Sequence, residues 1–290
     1  MENYYENKTS ENWENLTLAN NFLFCKIMES DPELCRQLLE ILLHIKIERL
    51  SPPQAERTVQ VGIDSKSVRF DVYAKDEKRV FDIEMQTTSN KNLPKRARYY
   101  QSISDVESLS KGERYSNLRD TYIIFLCLED IFKKGLPVYT FENICREDKN
   151  LLLNDRAFKV FFNAAECDKM ASDEEKSFFK FLSGEGAMSD FTKNLEEKVL
   201  RAKKNAEWRR QYMTWQQTID EEKDISFEQG KEAKAIEDAI LLVKEFNVTP
   251  ELAAKKMNAP LEKVLELLNS PHRALSLSCS SGSESPTASL

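Results

Sequence analysis

The chain has 290 residues, 41% of them hydrophobic, enough to bury a core as one large domain or two modest ones without disulfide or metal staples. Its 42 Lys and Arg against 49 Asp and Glu leave a net charge of −7, which excludes a uniformly basic nucleic-acid coat; any such binding needs local patches. Only 7 Gly exclude glycine-cradle and collagen-like architectures, and two His (His44 and His272) argue against multi-His zinc sites and His-centred catalysis.

The six cysteines show no C-x-x-C spacing, so they read as core thiols in a reduced compartment. The first residues are acidic and polar without an apolar h-region, so no secretory leader is expected there. The longest apolar run, 122–128, is far short of the roughly 18 residues a membrane helix needs. A cytoplasmic protein without membrane contact is expected.

Residues 1–15 read as a loose leader. Asp31-Pro32-Glu33 supplies an N-cap, a proline at the first helical position and an acid in the first turn. Leu34, Leu38, Ile41, Leu42 and Ile45 follow at helical spacing, predicting a helix over 32–47. Residues 58–63 suit a strand. The period then changes to two: Val68, Phe70, Val72 and Ala74 alternate with polar residues, Asp76-Glu77-Lys78 turns, and Phe81, Ile83 and Met85 alternate with Asp82, Glu84 and Gln86. This predicts a β-hairpin of two amphipathic strands. Residues 94–109 are predicted helical. The near-continuous apolar run 121–128 suits a strand covered on both faces, and 138–144 and 157–163 read as two more strands.

From Ser172 onward the pattern is helical. Residues 189–235 predict one or two long helices, followed by three short ones over 235–246, 250–257 and 260–268. Residues 270–290 are Ser-rich and nearly free of bulky apolar groups, so they are expected to be disordered. The expected architecture is an α/β core with a mixed sheet flanked by helices over 16–170, a helical region over 171–269, and the tail.

The hairpin carries the chemistry. Residues two apart in a strand share a face, so Glu84 and Gln86 point together, beside Asp82. If the hairpin turns at 76–78, Asp71 and Glu84 meet across the ladder. Two such carboxylates repel, and a hard divalent ion with oxygen ligands resolves the conflict. The same acids also fit the solvent face of an ordinary antiparallel hairpin, and spacing alone leaves both readings open.

The wording around them is specific. Arg69-Phe70-Asp71-Val72-Tyr73-Ala74, then Ile83-Glu84-Met85-Gln86, then Lys95-Arg96-Ala97-Arg98-Tyr99-Tyr100 and Lys111-Gly112-Glu113-Arg114-Tyr115 resemble the PD-(D/E)XK nuclease superfamily, and within it the recombination-promoting, Rpn-type nucleases labelled transposases. The resemblance is close over about 16–165 and looser beyond. It implies a restriction-endonuclease-like core with a helical C-terminal extension. It also implies a metal-dependent DNA endonuclease, an endodeoxyribonuclease tied to recombination or mobile-element activity. Asp71 and Glu84 would hold Mg²⁺ or Mn²⁺ and Gln86 would orient the attacking water.

Gln86 stands where most of the superfamily has lysine, and a glutamine can hydrogen-bond but brings no positive charge. Glu40, on the first helix, is either a third acid of the site or a plain polar helix residue. Lys91, Lys95, Arg96, Arg98 and Tyr99 follow the second hairpin strand; the stretch 91–114 holds six basic and three acidic residues, suited to a phosphate backbone. A second basic stretch, 193–211, reads as a charged surface helix. The last short helices have a helix-turn-helix rhythm but little base-reading chemistry, so packing or homo-oligomerisation is expected of them. The rival reading, of another class, is a catalytically weak or inactive DNA-binding or interaction protein on the same fold.

Overall fold

The computed structural model describes residues 12–59, 67–88 and 90–269. The leader before residue 12, residues 60–63 of the expected strand and the tail from 270 lie outside them.

The chain opens with α1 (Asn21–Ser30) and α2 (Pro32–Leu43). Asn20 caps α1 by accepting from the Leu23 N–H, and Asp31 caps α2 by accepting from the Leu34 N–H at 3.0 Å, with Pro32 in the first turn. The sequence predicts α2 as far as 47, but it stops at 43 because His44 takes a left-handed conformation and its N–H closes on the Glu40 carbonyl. His44 Nε2 then sits 3.2 Å from Glu175.

The sheet is built from β1 (Gln54–Val59), β2 (Val68–Lys75), β3 (Arg79–Gln86), β4 (Asp120–Cys127), β5 (Val138–Phe141) and β6 (Ala157–Asn163), in the order β1-β2-β3-β4-β6-β5. β1, β2 and β3 are antiparallel neighbours, β3-β4 and β4-β6 are parallel, and β5 returns antiparallel to β6. A parallel pair needs a crossover, and α3 (Leu93–Ser108) supplies it between β3 and β4. The buried β4, covered on both faces, is the reason residues 121–128 read as an unbroken apolar run.

The two faces of the sheet are covered unequally. On one, α3 buries Leu93, Ala97, Tyr100 and Ile103 against Phe70, Val80, Ile123, Phe125 and Phe161. On the other, Phe162 stacks on Phe179 of α4 (Asp173–Leu182), which packs beside α5 (Asp190–Lys203) and through it α1. Each fully buried phenylalanine here contributes roughly 1.5–3 kcal/mol of burial. The Trp13 indole donates to the Lys203 carbonyl at 2.9 Å, and Lys198 pairs with Asp31 at 2.6 Å, so α5 ties down the start of the chain.

α6 (Ala206–Phe246) is one helix of 41 residues, where the sequence predicts a break near 235. The first compact unit reaches Tyr212 and the second begins at Met213. The first unit thus runs past the expected boundary at 170, and α4 and α5 pack with the sheet, because their buried faces complete its core. In the second unit, α7 (Pro250–Met257) and α8 (Leu261–Asn269) pack on α6 through Ile236, Ala239, Ala253, Ala254 and Val264. Among the described residues no helix is long and apolar enough to cross a membrane, and no cysteine is disulfide-bonded.

Candidate active site

The hairpin register sets Lys75 against Val80, Ala74 against Phe81, Tyr73 against Asp82 and Val72 against Ile83. One step further Asp71 would face Glu84, and there the backbone ladder ends. Side chains replace it. The Asp71 N–H donates to Glu84 Oε1 at 2.9 Å, and the Met85 N–H donates to Asp71 Oδ2 at 3.0 Å. Each acid thus satisfies a buried backbone donor of the opposite strand, which would otherwise cost about 1–3 kcal/mol. The carboxylates are held between the strands rather than on a solvent face, and both are buried.

The pleat changes at the same point. Pairing of β1 with β2 passes from Arg57–Phe70 to Ala55–Val72 and skips Glu56 and Asp71, with Glu56 at a φ of 52°. Phe70 and Tyr73, an odd number of residues apart, both enter the α3-side core. Strict alternation, which puts Phe70 and Val72 on one face, therefore fails at Asp71. A non-glycine residue in the left-handed region is uncommon, and such outliers cluster at functional sites.

Two helices complete the setting. Asn21 of α1 donates its amide to Asp71 Oδ1 at 2.9 Å, and Arg96 of α3 donates Nη2 to Glu84 Oε2 at 3.0 Å. All four oxygens of the two acids therefore have one donor each. The Arg96 guanidinium also stands over the rings of Tyr100 and Phe125, while its Nε has no hydrogen-bond partner among the described residues.

Asp82 is fully buried, and neither of its oxygens accepts a hydrogen bond. Burial first, then the charges of Glu84 and Asp71, push its pKa well above the usual carboxylate range; protonated, it can share its proton with Glu84. Glu84 is pushed up to about 8, by burial first and the Asp71 charge second, against the pull of Arg96. Burial also raises Asp71, opposed by the Asn21 and Met85 hydrogen bonds. Three buried acids, with Arg96 bonded to Glu84 and the Arg69 charge also bearing on Asp71, form a site with surplus negative charge, held in check by protons.

That surplus suits a hard cation. No group of three His, Cys, Asp or Glu side chains among the described residues is arranged to hold a metal ion. Mg²⁺ does not require one: it is commonly bound through one or two carboxylates, with waters and substrate phosphate filling the octahedron. Each oxygen of Asp71 and Glu84 has one donor and a further lone pair, so the pair fits that pattern.

The other expected residues divide. Gln86 is buried at the end of β3, and its amide donates to the Thr88 carbonyl. Lys91, Lys95 and Arg98 are exposed, and their side chains form no ion pair among the described residues; Tyr99 is partly buried against the α3-side core. Arg96, expected on the DNA, turns inward onto Glu84. Glu40 accepts from the Ile47 N–H and pairs with Arg36, both at 2.7 Å, so it closes the end of α2 and takes no part in the site. Asn21 is a site residue that the sequence gives no sign of.

Residues 20–245 match the PD-(D/E)XK nuclease family transposases. No curated protein and no solved structure matches the chain.

Proposed function

The chain belongs to the PD-(D/E)XK nuclease transposase family, and from that premise we propose that it is a metal-dependent endodeoxyribonuclease that hydrolyses phosphodiester bonds of DNA in the cytoplasm during recombination or mobile-element activity. The observation that supports this reading best is the reciprocal pinning of Asp71 and Glu84 by each other's strands, which fixes two buried carboxylates side by side.

Asp71 and Glu84 would hold Mg²⁺ or Mn²⁺. Such an ion supplies an acidified water and offsets charge on the scissile phosphate. Asn21 fixes the Asp71 carboxylate from one side of the sheet. Arg96 fixes Glu84 from the other and contributes the positive charge that Gln86 lacks. Gln86, anchored through its amide to Thr88, orients the attacking water by hydrogen bonding. Lys91, Lys95 and Arg98, with Tyr99 beside them, hold the phosphate backbone on the outer face of α3.

The test is nicking of supercoiled plasmid with Mg²⁺, with Mn²⁺ and with EDTA. Cleavage in either metal and none in EDTA is expected. One feature favours the rival of a catalytically inactive DNA-binding or interaction protein: glutamine in the lysine position. That rival predicts intact plasmid under all three conditions.

A further inference from the structure

Between β5 and β6 the chain leaves the sheet and forms a small hairpin over residues 143–153. The Cys145 N–H donates to the Leu151 carbonyl and the Leu153 N–H to the Asn143 carbonyl, both at 2.9 Å, which places Ile144 opposite Leu152. Its turn is closed by the Leu151 N–H on the Asp148 carbonyl, and its base by Asn143 on Asp155 at 2.6 Å. The ribbon is well formed, yet it buries neither face. Leu151 is 56% exposed and Leu153 66% on one side; Ile144 is 54% exposed and Leu152 41% on the other. An isolated two-stranded ribbon is marginal in water, and contiguous exposed apolar surface is a mark of interaction sites.

We propose that this hairpin is a homodimerisation surface, on which the strands around Leu152 of two copies pair antiparallel about a two-fold axis through Leu152. The occupant is argued from the segment itself. Antiparallel pairing centred on Leu152 sets Leu151 against Leu153, Asn150 against Asn154 and Lys149 against Asp155, so the run Lys149-Asn150-Leu151-Leu152-Leu153-Asn154-Asp155 is complementary to its own reverse. That is what an isologous contact requires.

The backbone agrees. The bonds to Asn143 and Cys145 use the groups of Leu153 and Leu151, so the N–H and C=O of Leu152 face away from the inner strand. Among the described residues the carbonyl meets only the Asn154 amide, at 3.4 Å. Two copies can therefore exchange a pair of hydrogen bonds at Leu152 and close a four-stranded antiparallel sheet. Asn154 has a φ of 57°, which bends the chain after Leu153, so Lys149 and the second copy's Asp155 meet at the rim rather than as rungs. Lys149 has no ion pair among the described residues.

The experiment is sedimentation equilibrium of the full chain up to about 100 μM, well above a micromolar Kd. A dimer is expected. Leu151→Asp with Leu153→Asp gives a monomer with unchanged circular dichroism. Lys149→Asp weakens Kd about tenfold through like-charge opposition with the second copy's Asp155. Leu252→Asp on α7 leaves the dimer intact. The proposal is overturned if the wild-type chain stays monomeric or forms open-ended assemblies. It is equally overturned if Leu252→Asp, and not the hairpin change, dissolves the dimer, or if Lys149→Asp leaves Kd unchanged. None of these outcomes depends on cleavage, so dimerisation and nuclease activity are judged separately.

Discussion

Arg96 Nη2 lies 3.0 Å from Glu84 Oε2, and that arginine is the cation set against Asp71, Asp82 and Glu84 together. Removing one partner of a buried ion pair typically costs about 3–5 kcal/mol, because the other charge is left uncompensated. Here the acids can protonate instead. Arg96→Ala should therefore destabilise the protein strongly at pH 8 and much less at pH 5. Urea denaturation at the two pH values measures this, and an equal loss at both would mean Arg96 acts only by packing.

Asp71→Asn and Glu84→Gln keep an acceptor for the Met85 and Asp71 N–H groups while removing charge. Cleavage should fall to background in both, with melting temperature below wild type, because the new amide turns an NH2 toward the Asn21 donor in one variant and toward Arg96 in the other. The Ala variants should fold less well, each leaving a buried N–H unpaired at about 1–3 kcal/mol. Wild-type cleavage by either isosteric variant would remove that acid from the site.

The pH dependence has a definite sign. Glu84 keeps its proton in the folded state to about pH 8, against 4.5 for an unperturbed Glu, so between those values the native state binds more protons than the unfolded one. Stability of the metal-free protein is full below pH 4.5 and falls as pH rises through 8, by at most about 1.4 kcal/mol per pH unit for this group. Asp71 and Asp82 act in the same direction. Mn²⁺ competes with those protons, so its stabilisation should grow between pH 6 and pH 8. A metal effect that is flat in pH, read from denaturation curves, would count against carboxylate ligation.

Gln86→Ala should lower the cleavage rate roughly ten- to a thousandfold, the range for loss of a positioned polar group at a charged transition state. Gln86→Lys should retain or raise activity. Single-turnover rates with saturating Mn²⁺ separate this from metal loss; no change in Gln86→Ala would leave the residue only its bond to Thr88.

Lys91, Lys95 and Arg98 are the exposed cations of α3 and the loop before it. Changing all three to Ala should reduce the salt slope of log K for DNA by about 2–3, near one unit for each phosphate that is no longer neutralised, and lower cleavage with it. Fluorescence anisotropy across a salt series measures the slope. A triple variant that binds poorly but cuts normally would redirect the DNA path to Lys203, Lys204, Arg209 and Arg210.

Much of this is legible in the residues, for physical reasons that also mark where legibility stops. Period two over 68–86 reports a hairpin because each strand has two chemically different sides, and the parallel strands β4 and β6 announce themselves by apolar runs. The inward stripe of α3 is also written out: Leu93, Arg96, Ala97, Tyr100, Ile103 and Ser104 fall at helical spacing, which puts Arg96 on the core side and Lys95 and Arg98 outside. Helix α1 is not legible, because Phe22, Leu23, Phe24, Cys25, Ile27 and Met28 are all buried and leave no polar stripe to reveal a period. With α1 unseen, Asn21 cannot be placed beside Asp71, 50 residues away. The break in alternation at Glu56 and Asp71 has no local signal, since neither residue is a glycine.

The Trp13–Lys203 hydrogen bond spans 190 residues of chain. Such a closure is made late, because the entropy of ordering the intervening loop must be met before the contact gives anything back. On the ribosome, where synthesis runs from the N-terminus at about 5–20 residues per second, every side chain of the carboxylate site emerges within the first hundred residues. The α5 surface that packs on α1 emerges only when the chain is about two hundred residues long. A nascent chain shorter than that can lay α1 on β1 and β2 but leaves the α5 side of α1 uncovered, so chains truncated before residue 190 should behave as partly ordered intermediates.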